Sequence, residues 1–316
     1  MKWNFFYKNK NLQDIFILSI FLFLLFNIQT TKNAAALGFN NFCNIILPTL
    51  FPFILITNII IYFNSFSILS SLTLPLKKLK LNVSTTNLFC ITIGFLCGFP
   101  VGIKTVSDLY QKNEITKSTA IKLVFICHNI SPAFNIIIIN KISDYFYLTI
   151  TKKLYIFFIP YISSLLLYFI VIKVFKNRDK KKVENKDIQK ECPLNPANSY
   201  KNIIDNTIHT LCYICFYIVI FSIISSLISK CNLPDTIYMI ICSLIDVTNI
   251  LIYTFDINMS FFYSVITFLM SFGGISALFQ SMQLLDNVKI QKMYLIYAKI
   301  LSACISVLLS VVLYLL

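Results

Sequence analysis

Four groups of residues carry chemistry that an otherwise apolar chain avoids. The first is Gly94–Gly102, GFLCGFPVG, followed directly by Lys104, Ser107 and Asp108. Half of the chain's 6 glycines stand in this short stretch, with Pro100 among them. Glycine lets backbone amides face a ligand, proline interrupts a helix, and Lys104 adds a cation. An unwound stretch running into a helix N-terminus suits an anion. Gly98, Phe99, Pro100, Gly102, Lys104, Ser107 and Asp108 are therefore candidate substrate contacts. The competing reading is a packing motif in which glycines only let helices approach. Pro100, a poor fit to a continuous helix, favours the functional one.

The second group is CHNISP, with His128, Asn129 and Ser131 before Pro132. A Ser-Pro break at membrane depth frees carbonyls, and polar groups there are costly enough to be functional candidates by default. A kinked helix whose polar groups satisfy one another reads equally well. The third is Asp246 with Thr248 and Asn249, a carboxylate in an apolar run that must pair, protonate or bind a coupling cation; the alternative is a helix end in water. The fourth is Ser271, Gly273, Gly274 and Ser276, with Gln280 and Gln283 beyond. His209 and Lys299 are isolated and read as satisfied or snorkelling residues.

No Walker loop, HExxH, GxSxG or kinase-type set is present, and no nucleophile–base pair has readable spacing, so an enzyme is not expected. Cys212 and Cys215 form one CxxC with no second pair or flanking His, and most other cysteines lie in apolar runs as small hydrophobes. No metal or cofactor is expected.

The elements that must position these groups follow from composition. Of 316 residues 57% are hydrophobic and 13% charged, about half the roughly 25% of a soluble domain. The expected class is all-α, a polytopic helical membrane protein of two inverted-topology halves with broken or re-entrant helices. Lys and Arg number 27 against 13 Asp and Glu. They lie between apolar runs, as the positive-inside rule arranges them, with no recognition module for nucleic acid.

Residues 1–33 read as a basic segment and first transmembrane helix, with no small-residue cleavage site following closely. Residues 34–175 form the first membrane half and 202–316 the second; residues 176–201 form a basic cytoplasmic linker. Pro48 and Pro52 predict a kinked or broken helix in 34–63. Leu88–Val106 is expected to re-enter or unwind. A weak repeat pairs Gly98 with Gly273, and the polar turn 108–117 with 286–292. With the linker cytoplasmic, Ile203–Ile228 runs outward and Ala34–Phe63 inward, the arrangement of many secondary transporters.

At GFLCGFPVGIKTVSDLYQKNEITKSTA (Gly94–Ala120), CHNISP and SFGGISALFQ (Ser271–Gln280) the chain resembles the YlbJ family of sporulation integral membrane proteins. That family carries a nucleoside-recognition or gate domain. The resemblance, over about residues 12–312, implies an endospore-forming bacterium and movement of dipicolinate across the outer forespore membrane. It also implies a multi-pass membrane location, with the lipid bilayer and a dipicolinate-like anion as partners. A coupling ion, H+ or Na+, and a homo-oligomer are both left open. Asp246 stands where the family suggests Glu, and His128 where it suggests a residue such as Asn. The alternative function is a non-transporting structural or interaction protein of spore maturation, with the basic linker as its binding element.

Overall fold

The structure, a computed structural model, describes residues 10–66, 84–146, 148–179, 196–231, 233–251, 259–286, 288 and 290–315. Most of the basic linker, including Lys180–Lys190, lies outside the described residues. Among those described there is no strand; the protein is an all-α, polytopic membrane protein. Five helical stretches are long and apolar enough to cross a bilayer: Ile28–Tyr62, Ile150–Phe175, Tyr200–Cys231, Phe261–Leu284 and Met293–Val312.

Helix α1 (Lys10–Phe26) leads through Asn27 into α2 (Ile28–Asn41), a π-turn (Phe42–Ile46) and α3 (Leu47–Tyr62). The sequence predicts a kink or break at Pro48 and Pro52; the π-turn stands just ahead of Pro48, and the helix continues past both prolines. The first long helix begins at Ile28, ahead of Ala34. The described helix α1 covers 17 residues, the lower end of the roughly 17–25 of a membrane span.

After residue 84 come α4 (Thr85–Leu96), α5 (Val101–Gln111), α6 (Lys117–Val124), α7 (Pro132–Phe146) and α8 (Ile150–Asp179). Ser84 and Thr116 cap α4 and α6, each accepting from the amide three residues on. The second half comprises α9 (Pro196–Ile228), α10 (Asp235–Ile245), a 3-10 turn (Val247–Leu251), α11 (Met259–Phe272), α12 (Gly274–Leu284) and α13 (Met293–Leu315).

Side-chain contacts fix the directions. Asn58 on α3 donates to Thr207 near the start of α9, and Ser222 near its end donates to the Ala34 carbonyl on α2. The α2–α3 helix and α9 are therefore antiparallel. Phe175 meets Tyr294, while Lys152 lies over Tyr263, whose neighbour Ser264 meets Ser310. Helices α8 and α13 are thus antiparallel too.

The ends of α3, α5 and α8 and the start of α9 share one side, the linker side; Lys112 reaching the Ile61 carbonyl ties α5 to it. Hence α4 and α5 form a hairpin that enters and leaves from the linker side. Its tip is Cys97–Pro100. From the same side α6 runs inward, the chain unwinds over residues 125–131, and α7 continues until Phe146 stacks on Phe262 at the far side.

The second half mirrors this. From the far side α10 runs in to Asp246, and the 3-10 turn folds back, Asn249 donating to the Cys242 carbonyl. Helix α11 runs inward, breaks at Gly273 and continues as α12 to the linker side. Each half is a span, a hairpin, a broken span and a span, in opposite directions. The repeat pairs differently from the glycine spacing: the Gly98 tip corresponds to Asp246, and Gly273 to the 125–131 break. Glycine marks a hairpin tip in one half and a broken span in the other.

Candidate functional site

All four interruptions meet. The hairpin tip packs on the 125–131 break: Phe99 N–H donates to the Asn129 carbonyl (2.7 Å), and a Cβ at Gly98 (φ +69°) would land on the Ser131 nitrogen. Gly94 and Gly102 lie against Cys127, so here the glycines serve close approach. Backbone groups freed by the break find protein partners, as membrane depth demands. Asn129 Nδ2 donates to the Ile126 carbonyl, Tyr161 Oη to the Ile130 carbonyl, and Phe134 N–H to Ser131 Oγ.

The second-half breaks close on the first. Gly273 (φ +74°) sits against the Phe99 ring, and Gly274 against Asp246 and Val247. Between these tips lies a cavity of about 60 Å³, lined by Phe99, Pro100, Ser131, Asp246, Thr248 and Ser276 with apolar neighbours. It holds a few waters at most. Three half-helices start at its wall: α5 after Pro100, α7 after Ser131 and α12 after Gly273. Their first turns bring partial positive charge to the wall.

Asp246 is the ionisable residue on this wall. It is 5% exposed; its Oδ1 accepts from Thr248 N–H (2.9 Å) and Thr248 Oγ1 (2.7 Å), and Ser276 is a further partner. It ends α10 in extended conformation and caps the 3-10 turn. Gln280 on the same wall donates to Ser276 Oγ.

The other predicted site residues are elsewhere. Lys104 is 7% exposed; its Nζ donates to Asn58 Oδ1 (2.7 Å) and pairs with Asp108. Both line a separate polar vestibule of about 390 Å³ with Gln111, His209, Gln283 and Asp286. Two of these, Gln111 and Asp286, flank the linker-side turns after α5 and α12, so the vestibule belongs to that side. Lys104 is thus neutralised locally and is not on the central wall. Ser107 Oγ donates to the Leu284 carbonyl and ties α5 to the end of α12. His128 lies between the Val124 carbonyl at Nδ1 (3.2 Å) and Ser302 Oγ at Nε2 (3.0 Å). A carbonyl only accepts, so Nδ1 carries a proton toward Val124, while Ser302 Oγ also donates to the Lys299 carbonyl (3.2 Å). Ser271 Oγ is buried with no hydrogen-bond partner.

Asn58 holds both Lys104 and Thr207. Asn58→Ala is expected to cost about 1–3 kcal/mol, because two buried groups lose a partner. The melting temperature of the purified protein in detergent checks this; an unchanged midpoint would mean that water replaces the amide.

Sequence reasoning passed over Lys299. It is 0% exposed, donates to the Phe272 carbonyl (2.9 Å) and lies 4.4 Å from the Phe99 ring centroid. A lysine amid apolar residues carries no sequence mark to distinguish this from snorkelling. Among the described residues no group of three or more His, Cys, Asp or Glu is placed to hold a metal.

Compared with curated proteins, the chain is 25% identical over 127 residues to the sporulation integral membrane protein YlbJ of Bacillus subtilis (strain 168). The match takes in 39% of this chain and spans 31% of that relative's length. No family model and no solved structure matches the chain. The chain is thus similar, over that stretch, to a sporulation integral membrane protein, and its apolar helices agree with a multi-pass membrane location.

Proposed function

We propose that this chain is a gate-type permease that carries a small carboxylate solute, of the dipicolinate class, across the outer forespore membrane during sporulation. The observation that carries this reading is the convergence of four helix interruptions, from two oppositely running halves, on one cavity. Broken helices at the meeting of inverted repeats are how secondary transporters hold a solute and its coupling ion. Dipole-positive half-helix starts suit a carboxylate. Asp246 takes the coupling cation, H+ or Na+, which balances charge as the anion crosses. No reacting group is needed, so the protein is not an enzyme. The likeness to a sporulation membrane protein supports the setting.

The cavity is too small for an aromatic diacid as it stands. Passage therefore requires the hairpin tips to separate, opening alternately toward the vestibule and the far side.

The test is the dipicolinate content of spores from a deletion strain, with wild-type complementation. Expected are spores with little dipicolinate beside mother cells that still make it, restored by the intact gene. Deletion spores that fill normally would remove the dipicolinate assignment. Spores restored by a transport-dead variant would favour a scaffolding role instead.

A further inference from the structure

We infer that Lys299 is the cation that recognises the solute's carboxylate, and that the Phe99 ring is the shutter between it and the cavity. The inference deepens the transport reading above and rests on it. Lys299 is fully buried, and two groups meet its Nζ: the Phe272 carbonyl at 2.9 Å and the Phe99 ring at 4.4 Å. Among the described residues no carboxylate pairs with it, whereas Lys104 and Lys292 each have one, Asp108 and Asp286.

A buried ammonium without a counter-charge is costly. The carbonyl end of half-helix α11 and the aromatic face offset part of that cost. An ammonium has three N–H donors, and the carbonyl takes one. What remains on Nζ is donor capacity that a carboxylate would take, and that anion would hold the amine protonated.

Lys299 touches two residues of the cavity wall. Phe99 and Gly273 both line the cavity. A Cβ at Gly273 would come 3.0 Å from Lys299 Nζ and 2.7 Å from Phe99 Cε1, so the ring and this bare backbone separate the ammonium from the cavity. Swinging the ring aside exposes Nζ and enlarges a space that now admits only water. The dipeptide Gly273-Gly274 carries Lys299 against one residue and Asp246 against the other. A carboxylate drawn to Lys299 and a cation held by Asp246 would thus settle on either side of the same break. The class of ligand that fits is a small planar carboxylate, its charge at Lys299 and the amides starting α12. A neutral analogue lacks what the ammonium needs.

The experiment measures binding to the full-length protein in lipid nanodiscs. The probes are dipicolinate and its neutral isostere 2,6-pyridinedimethanol. Wild type is expected to bind dipicolinate and not the diol. Lys299→Met should weaken dipicolinate by at least about tenfold, the order of a charge-assisted contact, with Lys299→Arg recovering part. Phe99→Ala, which uncovers the ammonium, should tighten dipicolinate or speed its association about threefold or more. That second variant serves as the test should Lys299→Met fail to fold. Dipicolinate binding by Lys299→Met within threefold of wild type, or by Phe99→Ala unchanged, would overturn the role of Lys299 and leave the transport reading standing. Failure of the wild-type protein to bind dipicolinate, picolinate, malate or citrate would overturn both.

Discussion

Asp246→Asn is expected to abolish solute flux while the protein still inserts and folds. The carboxylate has two jobs in the structure. Its Oδ1 caps the 3-10 turn through Thr248 N–H and Oγ1, and its charge faces the cavity. Asparagine keeps a carbonyl oxygen in the capping place and is as good a cap as aspartate, so the hairpin tip should hold. Only the charge is removed. Losing one member of a buried charged pairing costs about 2–5 kcal/mol, at least about thirtyfold in flux. Asp246→Ala removes both jobs and should also lower the melting temperature, by about 1 kcal/mol in stability. Uptake of labelled dipicolinate into proteoliposomes, at matched amounts of reconstituted protein, checks both. Wild-type flux in Asp246→Asn would reduce the residue to the cap of a turn.

The apolar runs made the spans legible, because a bilayer-length helix announces itself by length and hydropathy. The break at Gly98–Pro100 was legible for a similar reason: three glycines and a proline do not belong in a plain span. Its partner in the second half was not. There the hairpin turns on an aspartate cap, a local hydrogen-bond device that composition does not mark, and glycine spacing pointed instead to Gly273.

The site was legible in type more than in place. Phe99, Pro100, Ser131, Asp246, Thr248, Gly273 and Ser276 do converge on the cavity. Gly94 and Gly102 turned out to pack on Cys127, the packing role weighed against ligand binding. Lys104 looked like the anion contact because it follows the glycines closely. About one helical turn, however, carries it from the hairpin tip toward the vestibule, where Asn58 and Asp108 take it. Asn58 lies 46 residues away, so no local pattern could announce that neighbour. Lys299 reaches the centre only because α13 packs beside α11, a fact of tertiary structure.

Two of the three left-handed glycines, Gly98 and Gly273, should respond to alanine in different ways, and the contrast separates architecture from gating. Alanine at either costs about 1–2 kcal/mol for the conformation alone. At Gly98 the added carbon meets only backbone: the Ser131 nitrogen, the Asn129 carbonyl oxygen at 2.8 Å and the Ile130 carbonyl carbon at 2.9 Å. These atoms are fixed by the Phe99–Asn129 hydrogen bond and by Tyr161 on the Ile130 carbonyl, so none can yield. The total should exceed about 4 kcal/mol, the range of exceptional destabilisation. Gly98→Ala is therefore expected to give little monodisperse protein. At Gly273 the added carbon meets the Phe99 ring edge and the Lys299 ammonium, the far ends of two side chains that can move. Gly273→Ala should fold, with a modestly lower melting temperature, and lose flux because the ring and the ammonium are pushed from their places. Size-exclusion profiles and melting curves, read beside flux, make the comparison. Equal folding losses at both positions would mean that the Phe99 ring is as fixed as the backbone, and a gate hinged on that ring could not work.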